Sequence, residues 1–294
     1  MIGSEWFILG APWDCSGSNR GEERAPDALR KAGLARLVDV DLGDAATTIA
    51  GSHRDEATGV RALPQTIAAA HGLAAALSRG IRDHPQRRPL VIGGDCSLLL
   101  GVFARTGATQ EEAGLWMLDG HPDYLNPHGS DTGETADLEL AVLTGDGPPS
   151  LVRLGEQVPM VAARHVALIG HRTADLDPAS AAELARLPAD LFTIDATAVT
   201  SDPAEAGRRA AAWADRLGVP MWLHLDVDVL DPSVLPAVTY PQDGGPDLDQ
   251  LAAVLTPLTA APHLLGVSVA DFRPDLDPDG SQAARLVALL DRIL

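Results

Sequence analysis

Cysteine is scarce: the chain has only Cys15 and Cys96 in 294 residues. Two thiols so far apart do not make a disulfide framework, so a buried core has to hold the fold. Basic residues are scarce too, 22 Lys and Arg against 41 Asp and Glu. That balance disfavours a duplex or an anionic membrane surface as partner. No run approaches the ~20 apolar residues of a membrane span. The opening seven residues lack the basic-then-apolar order of a secretory leader. There is no internal repeat, no low-complexity tract and no long Gly/Ser linker. The expectation is a soluble, cytoplasmic chain forming one domain over 1–294.

What is present is an alternation of short apolar runs with helical stretches. Strands are expected at Phe7–Ala11, Val38–Leu42, Pro89–Gly94, Leu115–Leu118, Val166–Gly170, Met221–Asp226 and Leu264–Ala270. Helices are expected at Pro26–Ala32, Leu63–Ile81, Leu98–Arg105, Thr135–Leu143, Ser180–Arg186, Ala204–Leu217, Leu248–Leu258 and Ser281–Ile293. Such an α/β order implies a parallel sheet covered on both faces. Ligands of such sheets sit beyond the carboxyl ends of the strands.

Polar motifs stand at three of those ends. The run Leu115–Leu118 stops at Asp119-Gly120-His121-Pro122-Asp123. If the strand stays extended, Asp119, His121 and Asp123 point to one side, because strand side chains alternate. Met221–Asp226 carries His224, Asp226 and Asp228, again two apart, and continues to Asp231-Pro232. Buried carboxylates without a counter-charge are costly. Asp-x-Asp alone is a weak signal that a solvated strand end also explains. Two such strand ends together offer Asp119, His121, Asp123, Asp226 and Asp228, more ligands than one four-coordinate zinc ion needs. They suit two metals sharing carboxylates, an arrangement that activates water for hydrolysis.

These motifs resemble those of the ureohydrolase family of arginase, agmatinase and formiminoglutamase. The resemblance rests on Gly93-Gly94-Asp95-Cys96-Ser97, Asp119-Gly120-His121-Pro122-Asp123 and Asp226-Val227-Asp228 with Asp231-Pro232. Looser matches, such as Ile169-Gly170-His171-Arg172 and Pro241-x-x-Gly244-Gly245, follow in family order over nearly the whole chain. It implies a three-layer α/β/α fold with a mainly parallel, roughly eight-stranded sheet. It also implies two Mn2+ per chain, bridged by Asp119 and Asp226, with Asp123 completing one ion and His121 and Asp228 the other. A metal-bridging hydroxide would then attack a guanidino or amidino carbon, and Asp123 would pass a proton to the leaving amine. Substrate contacts are expected from Asn126, Thr132, Glu134 and Asp271, with His224 and Asp231 supporting the ligands from behind. Relatives are commonly trimers or hexamers, so a homo-oligomer is implied as well.

The chain departs from the family at several of these positions. Cys96 stands where the family has a histidine ligand. It could bind manganese, favour zinc or iron on its side, or lose that ion. His224 replaces a small hydroxyl residue and reads as a core histidine bonded to a carboxylate, with a replacement ligand or proton shuttle as the alternative. Ala136 takes the place of the proton-relay histidine, with exposed-type His128 nearby. Glu134 replaces a neutral amide, and Asp271 replaces a longer glutamate, with Arg273 beside it. The expectation is therefore not an ordinary arginase but a hydrolase of a modified guanidine, for example an N-hydroxylated one. The alternative is a non-catalytic or single-metal relative with a regulatory or binding role.

Overall fold

The computed structural model describes residues 5–109 and 112–294. Eight strands form one sheet: β1 (Trp6–Ala11), β2 (Val40–Asp44), β3 (Arg88–Gly93), β4 (Gly114–Leu118), β5 (Val166–Ile169), β6 (Phe192–Ile194), β7 (Met221–Asp226) and β8 (Leu264–Ala270). Their order across the sheet is β2-β1-β3-β8-β7-β4-β5-β6, and every pairing between them is parallel. The helices are α1 (Ala25–Lys31), α2 (Leu63–Asp83), α3 (Leu99–Thr109), α4 (Glu139–Leu143), α5 (Pro149–Val152), α6 (Pro178–Leu184), α7 (Ala196–Ser201), α8 (Pro203–Leu217), α9 (Leu248–Thr259) and α10 (Ser281–Ile293).

Alternation along the strands sorts the core into two layers. Trp6 and Ile8 pack with side chains of α1, α8, α9 and α10 on one face. Phe7 and Leu9 pack with α2, α3, α4 and α5 on the other. The fold is thus the expected three-layer α/β/α arrangement. No helix among the described residues is long and apolar enough to cross a membrane.

Three expectations from the sequence change. The short edge strand β6 had no extended apolar run to reveal it. The helix expected over Thr135–Leu143 is split: Thr135–Asp137 is a 3-10 turn, and Leu138, at φ −133°, separates it from α4. The fourth strand ends at Leu118, so Asp119, His121 and Asp123 are not successive residues of one extended face.

The Gly93-Gly94 pair ends β3 because the chain there runs against its neighbours. The Gly94 N–H donates to Ala11 O at 3.0 Å, and its carbonyl accepts the Asp271 N–H at 2.7 Å. A Cβ on Gly94 would lie 1.6 Å from the Trp13 carbonyl oxygen, which is backbone and cannot swing aside. Gly94 thereby draws the ends of β1, β3 and β8 together. Gly94→Ala is expected to cost about 2 kcal/mol or more by overpacking, read as a lowered midpoint in thermal unfolding. An unchanged midpoint would show that this contact is not tight.

Candidate metal centre

The four central strands, β3, β8, β7 and β4, are consecutive in the sheet. Parallel pairing puts all their carboxyl ends on one side, and each end delivers polar side chains. Cys96 follows β3, Asp271 follows β8, Asp226 ends β7 with Asp228 just beyond, and Asp119 follows β4. The donor atoms fall into three groups, two of them sharing Cys96, each with its atoms within 4.8 Å of one another. These are Asp119, His121 and Asp228; Cys96, Asp226 and Asp271; and Cys96, Asp123 and Glu139.

Tight local turns, rather than strand alternation, create the convergence. The Asp119 carboxylate accepts the His121 N–H at 2.7 Å, and Asp226 accepts the Asp228 N–H at 2.7 Å. Each is an aspartate turning the chain back on itself two residues later. Asp123 sits at φ 48° and Asp271 at φ 67°, the left-handed region that aspartate tolerates better than most residues. Asp228 then accepts the Gly120 N–H at 3.1 Å, and its other oxygen lies 2.9 Å from His121 Nδ1. Arg172, buried after β5, donates to the carbonyls of Gly170, Val229 and Gln242 and clamps these loops together.

Burial dominates the electrostatics. It pushes the Asp119, Asp123 and Asp226 carboxyls well above the usual range, and neighbouring carboxylates add to the effect. Burial likewise raises Asp271, to about 7. Burial alone would raise Asp228 as well, but His121 beside it holds it below the usual range. Burial disfavours charge on His121, yet Asp228 outweighs this and lifts the imidazole to about 9. Several buried oxygens have no hydrogen-bond partner, among them Asp119 Oδ2, Asp271 Oδ2 and both carboxylate oxygens of Glu139. Burial and the surrounding carboxyls also push the Cys96 thiol up, and unpartnered buried carboxylate oxygens with a mixed carboxylate, imidazole and thiol set fit divalent cations.

A cavity of roughly 370 Å³ opens on this cluster. Cys96, His121, Asp123, Asp226, Asp228 and Asp271 line it, as do Thr132 and Ala136. The other residues expected to touch substrate lie elsewhere. Asn126 accepts the Gly129 N–H at 2.8 Å and closes its own loop. Glu134 is buried beside Arg20, at 2.9 Å. Neither belongs to the cavity wall. Thr132 does, but its hydroxyl donates to the Asp137 carboxylate. His128 is exposed in its loop. Arg273 is held by Asp275 at 2.7 Å. Asp231 accepts from Ser233 at 3.0 Å and Gly244 at 2.9 Å, a turn brace rather than a support for the ligands.

His224 is fully buried, but its partner is a hydroxyl and not a carboxylate. Its Nδ1 lies 2.8 Å from Ser268 Oγ, which also accepts from Trp222 Nε1 at 2.9 Å. Burial lowers the imidazole to about 3, so it is neutral. Three residues at the site had gone unnoticed in the sequence. Glu183, from α6, lines the cavity and accepts the Tyr124 N–H at 2.8 Å. Tyr240 lines it edge-on to His121. Glu139 lies behind the wall, and a lone acid in Leu138-Glu139-Leu140-Ala141-Val142-Leu143 was the signal that could have exposed it.

A central parallel sheet with clustered carboxylates at its strand ends makes this an α/β protein with a candidate metal centre. The Arginase family model matches residues 4–292, and the chain belongs to that family. An arginase of Brevibacillus brevis is 31% identical over 295 residues, covering 97% of this chain and 96% of its own. The native structure of Bacillus caldovelox arginase superposes with a TM-score of 0.86 at 27% identity, covering 99% and 98% of the two chains. Formimidoylglutamase of Bacillus subtilis shares the fold at a TM-score of 0.75 and 18% identity, covering 100% of this chain and 86% of that one.

Raised carboxyl pKa values carry a sign. A carboxyl raised in the folded state binds protons that the unfolded chain has released, so stability falls as pH rises. The loss begins near the ordinary carboxylate value of about 4 and for Asp271 runs through about 7. Bound cations remove the penalty by replacing those protons. Added Mn2+ is therefore expected to raise the unfolding midpoint more at pH 8 than at pH 5, measured on chelator-stripped protein. Equal shifts at both values would contradict this electrostatic account.

Proposed function

We propose that this chain is a manganese-dependent hydrolase that cleaves a C–N bond in a guanidino compound, with two Mn2+ per chain. The observation that carries the reading is the cavity wall. Asp123, Asp131, Asp137, Glu183, Asp226, Asp228 and Asp271 all line it, and among the described residues no lysine or arginine does. Such a wall favours a cationic ligand and two further cations. The relatives named arginase support the substrate class.

Asp119, His121 and Asp228 would hold one ion, and Cys96, Asp123 and Asp226 the other. When bound, the pair would lower the pKa of water and offset the charge that builds up as the guanidine carbon is attacked. Glu183 and Asp131 attract the guanidinium by long-range charge. Asp271, one methylene shorter than the family's glutamate, lies within 4.8 Å of Cys96 and Asp226 donor atoms. It therefore meets the head group deep in the cavity. Asp123, at the edge of the cluster and on the cavity wall, would take a proton from the attacking water and pass it to the leaving nitrogen.

The finer reading is a modified guanidine. Ala136 offers no proton relay, and His121, the one imidazole on the wall, is engaged by Asp228. An N-hydroxyl group withdraws electrons from the guanidine carbon and makes it easier to attack. Such a substrate has less need of a relay histidine.

The test is a panel of arginine, agmatine and N-hydroxylated arginine with Mn2+, read by release of amine and urea-type product. The hydroxylated compound is expected to show a kcat/KM about tenfold or more above arginine. Faster turnover of arginine would sink the modified-guanidine reading. Loss of all Mn2+-dependent turnover would sink the hydrolase reading itself. Asp226→Asn is expected to lower kcat/KM by about a hundredfold or more without changing the circular dichroism spectrum. Glu183→Gln should raise KM severalfold while leaving kcat nearly unchanged, because it removes attraction and not chemistry. An equal fall in kcat would place Glu183 in the chemistry instead.

A further inference from the structure

Glu139 has no place in the ligand set that the family motif supplies, yet it is fully buried at the centre. It opens α4 and faces the sheet rather than solvent. A donor atom of its carboxylate lies within 4.8 Å of Cys96 Sγ and of an Asp123 oxygen. Neither carboxylate oxygen has a hydrogen-bond partner. An unpaired carboxylate in that position is costly unless something positive answers it. Its neighbours are the Asp123 carboxyl and the Cys96 thiol, which can share a proton with it but supply no positive charge. His121, which does, is engaged by Asp228 on the opposite side of the cluster.

The thiol side chain at position 96 is also much smaller than an imidazole. It lies 3.5 Å from the Ala136 carbonyl and 3.9 Å from Asp123, leaving Glu139 room to approach. The two features fit one explanation. We infer that Glu139 is a further ligand of the cation on the Cys96 side, adding an oxygen donor beside the Cys96 sulfur. The inference rests on the two-metal reading above. Its chemical consequence is an oxygen-rich site with one thiolate. Carboxylate oxygens favour a hard ion such as Mn2+ and counter the preference of the thiolate for zinc.

The experiment compares full-length wild type with Glu139→Gln, which keeps the shape and removes the charge. Chelator-stripped protein is titrated with Mn2+ calorimetrically, and bound metal is counted after dialysis. Wild type is expected to hold two ions per chain. Glu139→Gln should keep one and bind the second at least about tenfold more weakly, with Mn2+ affinity lost more than Zn2+ affinity. Two ions bound with affinities unchanged in Glu139→Gln would overturn the inference and leave the hydrolase reading intact. Failure of wild type to bind metal at all would instead remove the reading beneath it. If Glu139→Gln does not fold, wild type with 13C-labelled glutamate carboxyls is titrated with Cd2+. A Cd2+-dependent shift of the Glu139 carboxyl signal is expected, and a signal that does not move overturns the inference.

Discussion

Mutual repulsion among buried carboxylates is the constraint around which this protein is built. Asp119, Asp123, Asp226, Asp228, Glu139 and Asp271 crowd the carboxyl ends of neighbouring strands, and all are removed from water. Without cations, protonation and the pairing of His121 with Asp228 and Asp119 are left to relieve the charge. The fold tolerates this because the rest of each strand is apolar and held on both faces. Stability thus comes from the two hydrophobic layers, and the site draws on it.

Sheet order is what brings the carboxylates together. In the chain, the central strands come as β3, β4, β7 and β8, with β4 and β7 separated by more than a hundred residues. In the sheet they lie as β3, β8, β7 and β4. The carboxyl ends of these strands all open on the same side. Gly94 tightens the β3–β8 end of this arc, and Arg172 ties the loops after β5 and β7. A glycine and a guanidinium that touch no substrate therefore help to set the spacing of the groups that would.

Much of the fold could be read from apolar periodicity. All but one strand and the long helices were visible, because a two-sided sheet requires continuous apolar runs. Phe192–Ile194 escaped because a three-residue edge strand has almost no pattern. The division at Leu138 escaped because apolar spacing cannot report a backbone turn. At the site, Asp119, His121, Asp123, Asp226 and Asp228 stand out by spacing, although tight aspartate turns beyond the strands, and not strand alternation, bring them together. Asn126 and Glu134 stood out only by their place in a motif. Their side chains close a loop and meet Arg20, respectively.

What the sequence determined by itself was the kind of protein: an acidic, parallel-sheet α/β chain with metal-ligand types at its strand ends. Those properties follow from local patterning and composition, which need no knowledge of distant neighbours. Tertiary structure alone decided which groups share a surface. Glu139 and Cys96 are far apart in the chain, and only the packing of α4 against α3 makes them neighbours. The partner of His224 was decided the same way, when β8 placed the Ser268 hydroxyl beside it. A side chain's type limits what it can do, but its burial and its neighbours choose among those roles.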